Sequence, residues 1–518
     1  MLPEFHSAPM LDFARPDAEA GMRQALEQAR SKFGTTYPLV IGGKRITTKE
    51  TFQSKNPANP SECVGNFSKA TVEHVNDAVA AAEKAFQSWS RIPPEERADV
   101  LLRAAGLLRK RRHEINATMV FEVGKNWLEA DGDTAEAIDF CEFYAHEMMR
   151  WGSPTAHPLV PNPGESNDLL YIPLGVGVVI PPWNFPCAIA MGMTAAAVVT
   201  GNSAILKPSS DSPLTAWKIF EVLEEAGVPA GALNFLPGPG GTIGDALVEH
   251  PRVRFVAFTG SMEVGIGINE RAAKVPKGQI WLKRAILEMG GKDFMILDED
   301  ADLEAGVAGV HAAAFGFQGQ KCSACSRAIV HEKLYDEFVE KLRVRTQAMS
   351  IGPTEKPEND LGPVVSASAE KKILEYIEIG KGEGRLITGG GKHSGPGYFL
   401  KPTIIADVKP NARIAQEEIF GPVLAVIKAR SFEEEIEIAN ATIYGLTGSY
   451  YSRDRARVAE AKRRLHVGNL YINRKCTGAL VGIHPFGGFN MSGTDSKAGG
   501  RDYLGLFLQA KSIAEYVG

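Results

Sequence analysis

The sequence predicts two open α/β domains carrying a small β arm, and three observations lead there. Across residues 170–258 short apolar runs alternate with helical patterns, the signature of a parallel sheet wound with helices. A second alternating series begins near Ala285 and runs through Tyr471. The polar, proline-rich stretch 154–168 and the C-terminal run 506–517 fit neither series and read as strands extending from the body, suited to subunit contact. At 518 residues the chain exceeds a single core, and a prior of about 150 residues per domain gives about three folded units.

Taken in order, the region up to about residue 150 reads as helical, with amphipathic stretches at Val72–Trp89 and 95–123. The first α/β series comprises apolar runs at 170–180, 204–206, 233–236 and 255–258, separated by helical patterns at 185–201, 213–226 and 242–250. In the second, strands at Phe294–Leu297 and 328–330 frame helices at 303–317 and 334–348. The expected boundaries are an N-terminal helical region that also begins the first α/β domain (1–153), an arm (154–173), the body of that first domain (174–287), a second α/β domain (288–495) and a C-terminal arm segment (496–518). No internal repeat or low-complexity tract is evident.

Composition excludes several classes. A formal charge of -5, with 23% charged and 44% apolar residues, describes a mildly acidic globular protein with no basic run for nucleic acid. Residues 169–206 carry no charged side chain and would attract a membrane assignment, but Pro173, Pro181, Pro182 and Pro186 interrupt any spanning helix. Six scattered cysteines suit a reducing compartment better than a disulfide framework. The first thirty residues mix acids with Arg15 and Arg23 and match neither a secretory signal nor a transit peptide, so the expected location is cytoplasmic.

The chemistry centres on F-G-F-Q-G-Q-K-C-S-A-C-S-R, residues 315–327, which places Cys322 in a glycine- and glutamine-rich loop after a helix. A thiol reacts as its thiolate and needs a partner to take its proton. Glu288 ends an apolar run just before Gly290 and Gly291, where a strand delivers a carboxylate into a turn, though a lone glutamate there also suits a solvated loop. In P-P-W-N-F-P, residues 181–186, Asn184 offers an amide for a developing oxyanion, and equally serves as a turn asparagine.

Two strand-to-helix turns, L-P-G-P-G-G-T-I-G at 236–244 and F-T-G-S-M-E-V-G at 258–265, put backbone N–H groups where phosphate can sit. The first is spaced G-x-G-x-x-x-G and so misses the standard dinucleotide fingerprint. Cys322 and Cys325 have C-x-x-C spacing, but no second pair completes a zinc site and no metal is expected. Cys325 reads as a packing residue, with pairing to Cys322 on oxidation as the alternative.

In order along the chain, P-W-N-F-P, K-P-S-S, F-T-G-S-x-x-x-G, L-E-M-G-G-K, G-Q-K-C, E-E-I-F-G-P-V and P-F-G-G resemble the aldehyde dehydrogenase superfamily, whose fold pairs a Rossmann-like cofactor domain with a catalytic domain. The stretches at 317–327, 471–482 and 484–494 are similar to the branch that oxidises L-glutamate γ-semialdehyde, the open form of 1-pyrroline-5-carboxylate, in the second step of proline catabolism. The alternative is another small semialdehyde, such as succinate or methylmalonate semialdehyde. The resemblance implies Cys322 as nucleophile, Glu288 as base for deacylation, and Asn184 with the Cys322 N–H as oxyanion hole.

For an NAD cofactor it implies Lys207 and Trp183 near the adenosine ribose, Ser261 at the pyrophosphate, and Glu418 with Phe420 at the nicotinamide ribose. Ile180, Ser210, Gly240, Gly244, Thr259 and Gly260 complete that set. Ser210 stands where many NAD-preferring relatives carry a glutamate, so NADP is also expected to be tolerated. Substrate contacts fall to Phe185, Ser323, Gly478, Ala479 and Phe486. The implied partners are a small-molecule substrate, further copies of this chain as a dimer or larger homo-oligomer, and a separate proline dehydrogenase.

Overall fold

The computed structural model describes residues 4–153 and 156–518. Residues 1–3, 154 and 155, which begin the expected N-terminal region and arm, lie outside the described residues. Two seven-stranded sheets organise the chain. In the first, the order is Arg284–Glu288, Phe255–Thr259, Val176–Ile180, Ser203–Leu206, Leu233–Phe235, Leu39–Ile41 and Lys44–Ile46. Its first five strands are parallel. The parallel strands are apolar runs covered on both faces, which suits their unbroken V-G-V-V-I and S-A-I-L sequences. Gly177 is bare for a packing reason: a side chain there would meet the Phe255 ring of the neighbouring strand at 1.9 Å.

The chain lays down Val176–Ile180, adds two strands on one side, then crosses back to place Phe255–Thr259 on the other. That reversal opens a crevice at the carboxyl ends of the two central strands, the usual ligand position in such sheets. Pro181–Asn184 and Gly260–Ser261 follow directly from those ends.

The second sheet runs Arg385–Thr388, Thr403–Ala406, Val423–Ala429, Arg327–His331, Phe294–Leu297, Thr447–Tyr451, Asn469–Ile472, with only the first strand antiparallel. Cys322 lies just before Arg327–His331, at the amino edge of this sheet, whereas Glu288 ends a strand at the carboxyl edge of the first. The reactive groups therefore meet where opposite edges of two sheets face each other.

Four expectations change. The N-terminal region is not wholly helical: residues 36–68 form strands, two of which join the first sheet through a tight Gly42–Gly43 turn with φ of 58° and 80°. The strand carrying Glu288 pairs with Phe255–Thr259, so Ala285 belongs to the first sheet rather than opening the second series. The apolar run 170–180 is two strands in two sheets, broken after Pro173 where Gly175 takes φ 139°. The C-terminal strand starts at Leu508, after a short helical turn at Tyr503–Phe507. That strand, Leu508–Tyr516, pairs antiparallel with Glu165–Pro173 as a separate two-stranded ribbon. Among the described residues no helix is long and apolar enough to cross a membrane; the uncharged stretch at 169–206 resolves into strand, loop, helix and strand.

Candidate active site

Two cavities meet at Cys322. One, of about 600 Å³, is lined by Ile180, Trp183, Asn184, Lys207, Ser210, Gly240, Thr259, Gly260, Ser261, Glu418 and Phe420 together with Cys322. The other, of about 470 Å³, is lined by Phe185, Ser323, Gly478, Ala479 and Phe486, again with Cys322 and with Glu288. Of the residues singled out in the sequence, only Gly244 lines neither. It sits one turn into the helical segment, where an added methyl group would lie 3.9 Å from the Lys207 side chain.

The loop that presents Cys322 is held in an uncommon conformation. Phe317, Gln318 and Gly319 take φ of 49°, 57° and 67°, three left-handed residues in succession. The two glutamines, which look like loop polarity in the sequence, pin it. Gln318 Nε2 donates to the carbonyls of Gly124 at 3.1 Å and Pro363 at 2.7 Å, and Gln320 Oε1 accepts from the Val365 N–H at 2.9 Å. Asn184, almost wholly buried, donates from Nδ2 to the Gln320 carbonyl at 3.1 Å, which ties the proline-framed loop of the first sheet to the cysteine loop. That bond uses one of the two amide hydrogens.

Electrostatics at the junction favour neutral forms. Burial, with the negative charges of Asp293, Glu418 and Glu288 adding to it, pushes the Cys322 thiol well above its ordinary value. Burial likewise raises Glu288 to about 8, against the opposing hydrogen bond from Ser496. Its Oε2 has no hydrogen-bond partner among the described residues. A carboxyl held near neutrality with one free oxygen is suited to exchange a proton with the thiol or a water.

The larger cleft has the donor set of a dinucleotide site. Lys207 is buried and lowered to about 8 by that burial, and among the described residues only the Pro208 carbonyl, 3.2 Å away, receives its ammonium. Ser261 caps the helix Met262–Ala273, accepting from Val264 N–H at 3.4 Å, so its hydroxyl hydrogen and the helix N-terminus remain for a phosphate. Glu418 accepts from Gly291 N–H at 3.0 Å, and Gly290 must lack a side chain because a Cβ would strike the carboxylate at 2.3 Å. Trp183 stands edge-on to Phe420 with centroids 5.5 Å apart. A cation, a carboxylate for vicinal hydroxyls and bare glycine backbone fit the ribose and phosphate groups of NAD.

The smaller cavity holds residues that sequence reasoning missed. The helix Trp127–Trp151 contributes Glu129, Asp133, Glu136 and Asp139, and the cysteine loop adds Lys321. Lys321 Nζ bonds Glu129 at 2.7 Å. Burial alone would raise Glu129, but Lys321 and Lys125 outweigh it and hold the carboxyl below its usual value. Glu136 goes the other way, to about 8, through burial and the neighbouring Asp133 charge. Lys125 pairs with Asp133 at 3.0 Å and places its ammonium 4.0 Å above the Phe185 ring, fixing that wall by a cation–π contact. Asp133 also accepts from Ala188 N–H at 2.7 Å, satisfying the start of the helix Ala188–Val199. The only signal of these roles in the sequence is the run of acids along the helix Trp127–Trp151.

Cys325 does not face Cys322. It is buried in a separate core with Cys476, its thiol 3.5 Å from the Arg327 carbonyl, while Cys476 donates to the Ser323 carbonyl at 3.4 Å. The packing reading fits that position.

Comparison with known proteins follows the same division. The sequence model of the aldehyde dehydrogenase family matches residues 45–513. A protein of Geobacillus sp. (strain WCH70) named 1-pyrroline-5-carboxylate dehydrogenase is 55% identical over 515 residues, 99% of this chain and 100% of that protein. The crystal structure of 1-pyrroline-5-carboxylate dehydrogenase from Thermus with bound NAD superposes with a TM-score of 0.98 at 52% identity, covering 99% of both chains. Proline utilization A from Bdellovibrio bacteriovorus, inactivated by N-propargylglycine, gives 0.97 at 43% identity over 99% of this chain and 53% of the other.

Proposed function

This chain belongs to the aldehyde dehydrogenase family, and from that premise we propose that it oxidises L-glutamate γ-semialdehyde, in equilibrium with 1-pyrroline-5-carboxylate, to L-glutamate with NAD, the second step of proline catabolism. One observation carries the reading: Cys322 lines both the dinucleotide-like cleft and the cavity that holds Glu288, Ser323, Gly478 and Ala479.

The Cys322 sulfur attacks the aldehyde carbon, and its proton passes to solvent or to Glu288. The new oxyanion takes hydrogen bonds from the free N–H of Asn184 and from the Cys322 backbone. When bound, NAD supplies the hydride acceptor and a positive charge beside the thiol. Glu288 then removes a proton from water as that water attacks the thioester, and release of the carboxylate restores the thiol. Lys207, Ser261 and Glu418 hold the cofactor, and the serine at 210 leaves NADP tolerated.

At the other end, the Ser323 hydroxyl and the backbone around Gly478 and Ala479 receive the substrate's α-carboxylate, while Phe185 and Phe486 enclose its methylenes. Asp139 in the same cavity, raised by burial to only about 6, complements an α-ammonium at neutral pH. Succinate semialdehyde has no ammonium to meet it. The ribbon formed by Glu165–Pro173 and Leu508–Tyr516 serves as the oligomerisation arm, supported by half-exposed Leu170 and Ile172 along its length. Six free cysteines accord with a cytoplasmic enzyme. A separate proline dehydrogenase supplies the substrate, in keeping with the Bdellovibrio protein extending well beyond the part this chain matches.

The test is steady-state NADH formation from pyrroline-5-carboxylate by the parent enzyme and by Cys322→Ala. Activity is expected in the parent and a loss of about 10⁴-fold or more in the variant; turnover retained by the variant would remove the covalent mechanism.

A further inference from the structure

The segment from Phe5 to Phe13 crosses the body as an extended strap. Its two ends are fastened by aromatic contacts. Phe5 meets Phe143 edge-on at 5.4 Å and Phe13 meets Trp127 at 5.3 Å. Between them two backbone N–H groups are taken by carboxylates of the helix Trp127–Trp151: Ala8 donates to Asp139 at 2.6 Å and Leu11 to Asp131 at 2.7 Å. Charge-assisted bonds of this kind are the stronger class, so four attachments fix a stretch that forms no helix or strand of its own.

Fastened in this way, Ser7, Ala8 and Met10 line the smaller cavity beside Asp139 and Glu136. The buried Ser7 hydroxyl has no partner among the described residues, an exception that calls for a reason in a packed protein. The strap also lies wholly before residue 45, where the match to the family as a whole begins, whereas the Geobacillus relative matches 99% of the chain. The part of this chain that matches the family as a whole therefore does not include this wall.

We propose that residues 5–13 determine specificity, closing the substrate cavity so that a short amino-acid semialdehyde fits and longer or bulkier aldehydes do not. This rests on the functional reading above for the identity of the favoured substrate, but not for the exclusion of long ones. Shape discrimination by an added wall is worth about ten-fold or more per displaced methylene or two, and it acts on substrate binding rather than on the thiol. The two aromatic anchors hold the ends of the strap without themselves lining the cavity, so removing them leaves it pinned at two amides with both ends free and loosens the wall, while every catalytic group stays in place.

The experiment compares the full-length parent, the double variant Phe5→Ala/Phe13→Ala, and Ser7→Trp on L-glutamate γ-semialdehyde and on straight-chain aldehydes from propanal to decanal, with NAD affinity and thermal unfolding measured alongside. For the anchor variant the decanal-to-propanal ratio of kcat/KM is expected to rise about ten-fold, with KM for L-glutamate γ-semialdehyde raised and NAD affinity unchanged. Ser7→Trp should narrow the cavity, raising KM for the semialdehyde while propanal turnover is kept. An unaltered aldehyde ratio in a folded anchor variant, or an unaltered KM in Ser7→Trp, would overturn the proposal. If the anchor variant does not fold, Ser7→Trp alone decides. A parent enzyme inert towards L-glutamate γ-semialdehyde but selective among the straight-chain aldehydes would instead remove the substrate assignment and leave the strap standing.

Discussion

The two cavities at Cys322 treat charge differently. In the cofactor cleft charges are few and set among bare glycine backbone at residues 240, 260 and 290: Lys207 is shifted by burial alone, and Glu418 mainly by burial, with Lys372 and Lys292 beside it. In the substrate cavity, Glu129 is held, against its burial, below its usual value by Lys321 and Lys125, and Glu136 is raised by burial and by Asp133 and Asp139, while Glu288 is raised by its own burial. Recognition in the cleft is a matter of shape and a few fixed poles, so substitutions there act one at a time. In the cavity the titration of one group depends on the others, so substitutions there should alter pH dependence as well as affinity.

The largest expected effect tests that claim at the base. Glu288→Gln should lower steady-state turnover by about 10²- to 10⁴-fold while a first-turnover burst of NADH survives, since only thioester hydrolysis needs the carboxylate. In the parent, Glu288 is active as its anion and is raised to about 8, so kcat should climb with pH through about 8 and fall away below it. A rapid-mixing assay and a pH series read both, and a parent profile flat from pH 6 to 9 would show that the carboxyl is not the base.

A smaller effect is expected from Ser323→Ala. Loss of one hydrogen bond to a charged carboxylate costs about 1.5–3 kcal/mol, which should appear as about a ten- to hundred-fold rise in KM for the semialdehyde with NAD affinity unmoved. Comparable losses for both ligands would mean that the cavity and the cleft are not independent. Smallest is Ser210→Glu in the cleft. Its new charge should reduce kcat/KM for NADP by about ten-fold while leaving NAD within about two-fold, because only the 2′-phosphate meets it. Paired initial-rate measurements with the two cofactors decide that outcome.

The cleft was largely legible in the sequence because its parts are local. A strand that ends in P-P-W-N or F-T-G-S carries its own turn chemistry, and the glycines that let a ligand approach are neighbours along the chain. Legibility failed where roles depend on distant packing. Gln318 and Gln320 look like loop polarity until Gly124, Pro363 and Val365 come to meet them. Asp133 and Glu136 look like the solvated face of a helix, yet that helix turns its acids towards the reaction. The hairpin of Leu39–Ile41 and Lys44–Ile46 was missed because its runs are only three residues each, too short for a period-two pattern to stand out. Gly244, taken with the glycines before it, lies where the chain has already turned into a helix and lines neither cavity.

The left-handed turn before Cys322 has a consequence for how the enzyme comes into being. Three successive residues in that conformation cost roughly 1 kcal/mol or more for each one that is not glycine, and a chain fragment left to itself would relax out of it. What holds the turn is a pair of hydrogen bonds to Gly124 and Pro363, one far upstream and one downstream of the turn in the sequence. During synthesis the nucleophile therefore remains unposed until residue 363 has emerged and docked. Assembly acts as a timer on reactivity, and a partly made chain carries the cysteine without yet displaying it.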